Sequence, residues 1–493
     1  MRALLKKLTT DSAIYGVSNI LGRFITFLLV PFYTHMLPQG DYGIVIVVYA
    51  YIAFLNGIFT FGLEPAYMRF VAEAGSADRS RVFSAAFWFI LVAGAVLAIP
   101  ILSFSSSIQP WLGIRPEWAE ILPLSLAMVL LDAVCAIPFA ALRMENRPRS
   151  FAGIRLFSIV LNVGLNFLLI AVWKWSVVAV FISGAVSSAS CLLLLLPTLR
   201  GRLRFSVDRA LLRRLLVYGL PTMPGAISIM LIEIIDKPIM LLLTDAATVG
   251  LYGANYKLGI FMMLVVSVFR YAWQPFYLQL ASDPGAKALF SRVMTYFVLI
   301  GSVIVLLLSL FIGELVQIPL PRGRTLIPAE YWSGLGIVPI ILFSYLFAGM
   351  DQILSAGIYI QKRTMIVLYA TASGALVNIV ANFLLIPVFG IYGAAFATLA
   401  AYFTLAAVYW VAGRKIYPIT WENARLLKLF GALAVPALLW YLVPMDAVLP
   451  MLLWKIFLVA LYVSTLAVSG FFSKEERNAL QGLLRGARRS ERM

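Results

Sequence analysis

The side chains with chemistry to offer lie where charge is expensive. Arg23, Glu233, Asp236, Lys237, Asn255, Lys257, Arg270 and Asp351 all fall inside long apolar runs. A charge at the centre of a bilayer costs at least about 2.5–3.5 kcal/mol, so such a residue usually has a partner or a task. A guanidinium presents a planar fork that grips an oxyanion through two hydrogen bonds, which makes Arg23 and Arg270 the leading anion ligands. Buried carboxylates can take a proton or a small cation, the chemistry open to Asp236 and Asp351. No Cys or His spacing suits a metal: Cys135 and Cys191 lie in apolar runs, and the single His35 sits beside a helix end.

These residues need a membrane scaffold. The chain has 493 residues, 62% hydrophobic and only 12% charged, with a mean hydropathy of +0.94. A soluble domain carries about a quarter charged residues, so this chain cannot cover itself with a polar surface. It reads as an all-α polytopic membrane protein. The basic start, MRALLKKLTTD, leads into a long apolar segment without a small-residue cleavage site, so the first helix is expected to stay.

Apolar runs between Gly, Pro and charge punctuation predict fourteen spans. They lie near 12–34, 42–65, 82–106, 118–142, 151–172, 176–198, 216–243, 249–278, 290–319, 333–360, 365–387, 390–412, 426–443 and 448–471. Of 39 Lys and Arg, 29 fall in the loops and termini on one side, 4 on the other and 6 within spans. Basic residues accumulate in cytoplasmic loops, so both termini are expected in the cytoplasm. That bias also accounts for the net charge of +17 without nucleic acid. The basic tail, amphipathic if helical, is expected to lie on the anionic inner leaflet.

A phrase recurs: LNVGLNFLLIAVW at 161–173 and LVNIVANFLLIPVF at 376–389. YGVSN at Tyr15 answers YGLPT at Tyr218, DYGIV at Asp41 answers TVGLY at Thr248, and EPAYM at Glu64 answers QPFYL at Gln274. Spans 1–6 and 7–12 therefore read as two copies of a six-helix unit in the same orientation, a parallel repeat of the kind transporters build around a central site. The expected divisions are 1–215, a first lobe with its basic linker; 216–415, a second lobe; 416–471, spans 13 and 14; and 472–493, the tail. The Asn pairs 162/166 and 378/382, four residues apart, put two amides on one helix face and are read as bonds to a neighbouring helix.

The stretches NILGRFITFLLVPFYTHMLPQGDYG, IDKPIMLLLTDAATVGLYGANYKLG and NFLLIPVFGIYGAAFAT resemble polysaccharide flippases of the O-antigen (Wzx) type. Those share a superfamily with MATE drug exporters and the lipid II flippase. The resemblance implies a two-lobed bundle that exports undecaprenyl-diphosphate-linked oligosaccharide across the bacterial inner membrane, driven by an ion gradient. No cofactor is implied beyond a coupling proton or Na⁺. The expected partners are the lipid-linked oligosaccharide, the bilayer and the polysaccharide polymerase machinery, with the chain itself a monomer and not an enzyme.

Under that reading a cationic cavity would carry the diphosphate. Arg23 lies about eleven residues into span 1, roughly 16 Å from its cytoplasmic end. In the lipid II flippase, arginines of helices 1, 2 and 8 line the cavity; Arg23 and Arg270 match the first and third by helix, and span 2 here has no Arg. Lys257 and Asn255 lie nearer the outer side, where they could meet sugar or diphosphate after reorientation. On a continuous helix Lys257 is about 140° from Arg270, so the two should not share a narrow groove. In IEIIDKPIM, Glu233 and Lys237 at i and i+4 are expected to neutralise each other. Asp236 is then left for Arg23, Arg270 or a coupling ion, or serves a plain structural hinge. Pro238 frees the Ile234 carbonyl and predicts a kink. Asp351 has Gln352 and Ser355 as neighbouring oxygens, and Asp132 is a further buried acid. Glu64, Arg69 and Arg155 are placed at the cytoplasmic interface, snorkelling or paired. Trp173 and Trp175 read as interfacial belt.

Three other readings compete with this one. A membrane polymerase or glycosyltransferase would need clustered acids, His or metal ligands at a water interface. A MATE-like cation or drug exporter would need an acidic cavity, whereas this one leans basic. A lipid II-type flippase shares the architecture.

Overall fold

The computed structural model describes residues 20–473, apart from 74, 206–207, 282 and 444–447, together with Glu476. The expected start of the first span at 12–19 and nearly all of the basic tail lie outside the described residues.

In hydrocarbon every backbone polar group must be satisfied internally, and helices do this within one segment. The first half of the chain forms α1 (Ile20–Met36), α2 (Gln39–Glu73), α3 (Ser76–Ser103), α4 (Ile121–Met144), α5 (Pro148–Val172) and α6 (Val178–Leu199). The second half forms α7 (Arg209–Ile234, continued by Asp236–Leu243), α8 (Ala246–Lys257 and Ile260–Gln279), α9 (Ala286–Val316), α10 (Val338–Leu354 and Ala356–Ile360), α11 (Thr364–Phe389) and α12 (Ile391–Ile416). Two more follow, α13 (Asn423–Leu442) and α14 (Val448–Val468). Among the described residues twelve helices are long and apolar enough to cross a membrane, thirteen when the two segments of α8, bent by 49°, count as one. Within the described residues α1 is shorter than these. The chain is a multi-pass, helical membrane protein.

Three features depart from the sequence reading. The basic linker is not all loop: Asp208 accepts hydrogen bonds from the Ala210 and Leu211 amides and starts α7 at Arg209. The expected division at 215/216 therefore falls inside a helix. The connection after α9 holds a short antiparallel hairpin, Pro319 opposite Thr325 and Leu320 opposite Arg324, in a chain that is otherwise helical. His35 belongs to this corner, its Nε2 lying 2.7 Å from the Thr325 carbonyl. Finally, α2 runs on to Glu73 through a bend at Phe61 and Gly62, both at positive φ.

The two halves touch at two glycine crossings. A Cβ on Gly43 of α2 would collide with the Ala246 carbonyl of α8, and one on Gly250 of α8 with the Gln39 carbonyl of α2. Gly43 and Gly250 are the glycines of the DYGIV and TVGLY echo. Near the other end, Gly62 and Gly219 each leave room only for the other's carbonyl. The last two helices pack on α9, where Lys455 of α14 pairs with Glu314 and Tyr462 meets Ser302 at 2.6 Å.

Candidate substrate cavity

Between the halves lies a cavity of about 590 Å³, walled by α1, α2, α5, α7, α8 and α10. Arg23, Arg155, Lys237 and Lys257 bring four positive charges to it, with Glu233 the one acid in the wall. A second space of about 400 Å³ shares Thr26, Ile46, Ile159, Lys237 and Lys257 and continues toward Tyr33, Tyr42 and Asn162.

Arg23 reaches this space because α1 carries it past Gly22, which packs against Ile159 of α5. Its guanidinium donates to the Met263 sulfur at 2.7 Å and makes no ion pair among the described residues. A thioether is a weak acceptor, so the charge is held without being neutralised.

Helix α7 breaks at Ile235, where Pro238 removes the amide that would bond the Ile234 carbonyl. The break changes the pairing. Lys237 Nζ bonds Asp236 Oδ1 at 2.8 Å and the Glu233 carbonyl at 2.7 Å, and lies 3.9 Å from the centre of the Tyr256 ring. Tyr252 donates to Asp236 Oδ2 at 2.6 Å. The expected Glu233–Lys237 side-chain pair is therefore replaced by Asp236–Lys237. Asp236 is fully buried and paired with neither Arg23 nor Arg270, and Glu233 is the acid left on the cavity wall.

Asn255 does not line the cavity. It is buried, and its amide donates to the Leu251 and Tyr331 carbonyls, both at 2.9 Å, tying α8 to the segment before α10. Lys257 does face the cavity, while Arg270 lines a separate space of about 280 Å³ with Asp351, Gln274 and Ser355. Their separation follows from the bend at Leu258 and Gly259 rather than from a continuous helical twist. Arg23 and Glu233 border both spaces. Asp351 is 2% exposed, and neither carboxylate oxygen has a hydrogen-bond partner. The Gln352 backbone carbonyl accepts from Trp273 at 3.0 Å and from Ser355 Oγ at 3.4 Å.

Arg155 was misplaced by sequence reasoning. It lies on the central cavity wall, its guanidinium 4.4 Å from the centre of the Phe139 ring. The available signal was depth: seven residues past Pro148 place it roughly 10 Å along α5, beyond easy snorkelling. Arg69 and Glu64 do stay outside this cavity. Arg69 stacks on Tyr218 at 4.5 Å and pairs with Glu73, and Glu64 pairs with Arg143. Trp173 and Trp175 are largely exposed at the end of α5.

Residues 8–281 match the family model described as polysaccharide biosynthesis protein. The chain belongs to that family. Its fold is similar to that of a lipid II flippase MurJ in an inward closed conformation, with a TM-score of 0.73 at 12% identity over 92% of this chain and 98% of that one. An inward-facing multidrug resistance MATE family transporter of the MOP superfamily aligns at TM-score 0.67 and 14% identity, over 80% and 94% of the two chains. A Vibrio cholerae MATE transporter aligns at 0.60 and 13%, over 84% and 97%. No curated protein matches the chain by sequence. The polysaccharide family's chain thus carries the two-halved fold of flippases and exporters, with a basic cavity where the halves meet.

Proposed function

We propose that this protein translocates an undecaprenyl-diphosphate-linked oligosaccharide repeat unit across the bacterial inner membrane by alternating access. The observation that carries the reading is the central cavity, where Arg23, Arg155 and Lys257 oppose the single acid Glu233 once Asp236 has taken Lys237. A diphosphate is a compact double oxyanion, and forked guanidinium donors suit it. The prenyl chain would stay in lipid between the halves. Both termini lie in the cytoplasm on this reading, following the loop charge bias. A proton or Na⁺ couples transport through the acids of the second half, with Asp351 ahead of Asp236 and Glu233 because its oxygens have no hydrogen-bond partner. The polymerase machinery takes the product, and the chain acts as a monomer.

The test is reconstitution in liposomes with a fluorescent prenyl-diphosphate oligosaccharide. Arg23→Ala and Arg155→Ala should each cut translocation about 10–100-fold, the scale of one lost charge-assisted contact. Full activity in both variants would leave the arginines as scaffold and remove the basis of the reading.

A further inference from the structure

The first half of the chain holds a cavity that the transport reading leaves unused. It has a volume of about 410 Å³ and is lined by Asn56, Thr60, Asp132, Arg143, Arg155 and Ser158, among others. Arg155 also belongs to the central wall, so the two spaces adjoin at one guanidinium. Their electrostatics differ. In the smaller cavity Glu64 is paired with Arg143, and Asp132 faces the charge of Arg155, so the wall is close to neutral. Asn56 and Ser188 lie close to Asp132, whose side chain remains accessible although it lies mid-helix. Two buried polar atoms on the wall, Asn56 Oδ1 and Arg143 Nε, have no hydrogen-bond partner.

A neutral space walled by alternating donors and acceptors favours neither an ion nor an apolar chain. Its volume lies in the range of small-molecule sites. A pyranose ring fits this chemistry: each hydroxyl both donates and accepts, and an ionised carboxylate can accept from two adjacent hydroxyls. We infer that this cavity is the subsite for the first sugar of the translocated lipid, read by Asp132, Asn56 and Ser158, with Arg155 at the junction of sugar and diphosphate. The inference rests on the diphosphate reading of the central cavity.

The experiment uses the full chain in detergent micelles and native mass spectrometry. The probes are undecaprenyl diphosphate alone and the same lipid carrying one N-acetylglucosamine or one galactose. The wild type should bind a sugar-bearing lipid roughly tenfold more tightly than the bare one, the scale of a hydrogen bond to a charged group. Asp132→Asn should erase that preference. Ser158→Ala should weaken it several-fold, and carries the test if Asp132→Asn does not fold. Arg23→Ala should weaken all three lipids and preserve the preference. Equal binding of all three by the wild type, or a preference that survives both Asp132→Asn and Ser158→Ala, would overturn the subsite while leaving the central cavity standing. Failure of the wild type to bind even the bare lipid would overturn both.

Discussion

Two cavities flank the central one, and they are built from echoing positions with different side chains. In the first half Thr60, Glu64, Asp132, Ala136 and Arg155 line the wall; in the second Arg270, Gln274, Asp351, Ser355 and Thr371 do so. The spacings between these pairs are 210, 210, 219, 219 and 216 residues, close to the 203–216 that separate the repeated phrases. Each cavity keeps its Asp, but Thr and Arg have exchanged places. The exchange puts Arg155 against Asp132 in the first half, whereas Asp351 is left with both oxygens unpartnered. An ionised carboxylate buried without a partner is costly, and taking up a proton or a cation relieves the cost. The same scaffold thus holds a charge-balanced polar pocket on one side and a buried acid without a hydrogen-bond partner on the other.

This contrast can be broken most severely through the arginines that join each flanking cavity to the centre. The double variant Arg23→Ala, Arg155→Ala should lose nearly all translocation in vesicles, more than either single change, because both guanidinium forks leave the cavity wall. Next comes the acid pair. Asp351→Asn should abolish the response of transport to an imposed proton or Na⁺ gradient, while Asp132→Asn keeps the response and alters only which lipid is carried. A gradient response lost in Asp132→Asn but kept in Asp351→Asn would reverse the assignment.

The crossing of α2 and α8 gives a smaller effect. Gly43→Leu cannot keep the Ala246 carbonyl at its present distance. Spin labels placed across that contact should report longer separations, and transport should fall several-fold. The smallest change concerns the Asn pairs. Asn166 donates to Asn162, and Asn382 to Asn378, at matching distances: 2.9 and 3.2 Å in the first pair, 2.8 and 3.1 Å in the second. In the first half Asn166 Oδ1 also accepts from Tyr33 at 2.8 Å, whereas Asn382 Oδ1 has no partner. Tyr33→Phe should therefore cost about 0.6 kcal/mol of thermal stability, the usual worth of such a bond in a membrane. An unchanged unfolding temperature would show that the bond adds nothing net.

Much of the scaffold was legible because helix formation in lipid depends on apolar length, and the charges of Arg23, Lys257 and Asp351 stood out against that background. Pairing was harder to read. The Glu233–Lys237 spacing fitted a helix, but the Pro238 break let Lys237 turn to Asp236, a choice made by three-dimensional packing around Tyr252 and Tyr256. Asn255 looked like a cavity polar group, yet the Tyr331 carbonyl that claims it comes from a segment 76 residues away. Arg155 was read by its nearness to basic loops, although the tilt and packing of α5 carry it to the centre. The repeated phrase predicts bonds to a neighbouring helix, but its repeated hydrogen bonds stay within one helix, Asn166 to Asn162 and Asn382 to Asn378, and of the two pairs Asn166 alone reaches another helix, at Tyr33. It did not announce that Phe167–Val172 would wind as a π-helix while its echo stays α-helical through Phe389.

The most direct measurement sets two cargoes against each other in the same vesicles: a prenyl-diphosphate oligosaccharide and a cationic dye. A basic cavity formed by Arg23, Arg155 and Lys257 should move the lipid-linked sugar and leave the dye outside, with Arg23→Ala cutting the transfer about 10–100-fold. Dye transport without movement of the lipid would contradict the account and make the protein a cation exporter.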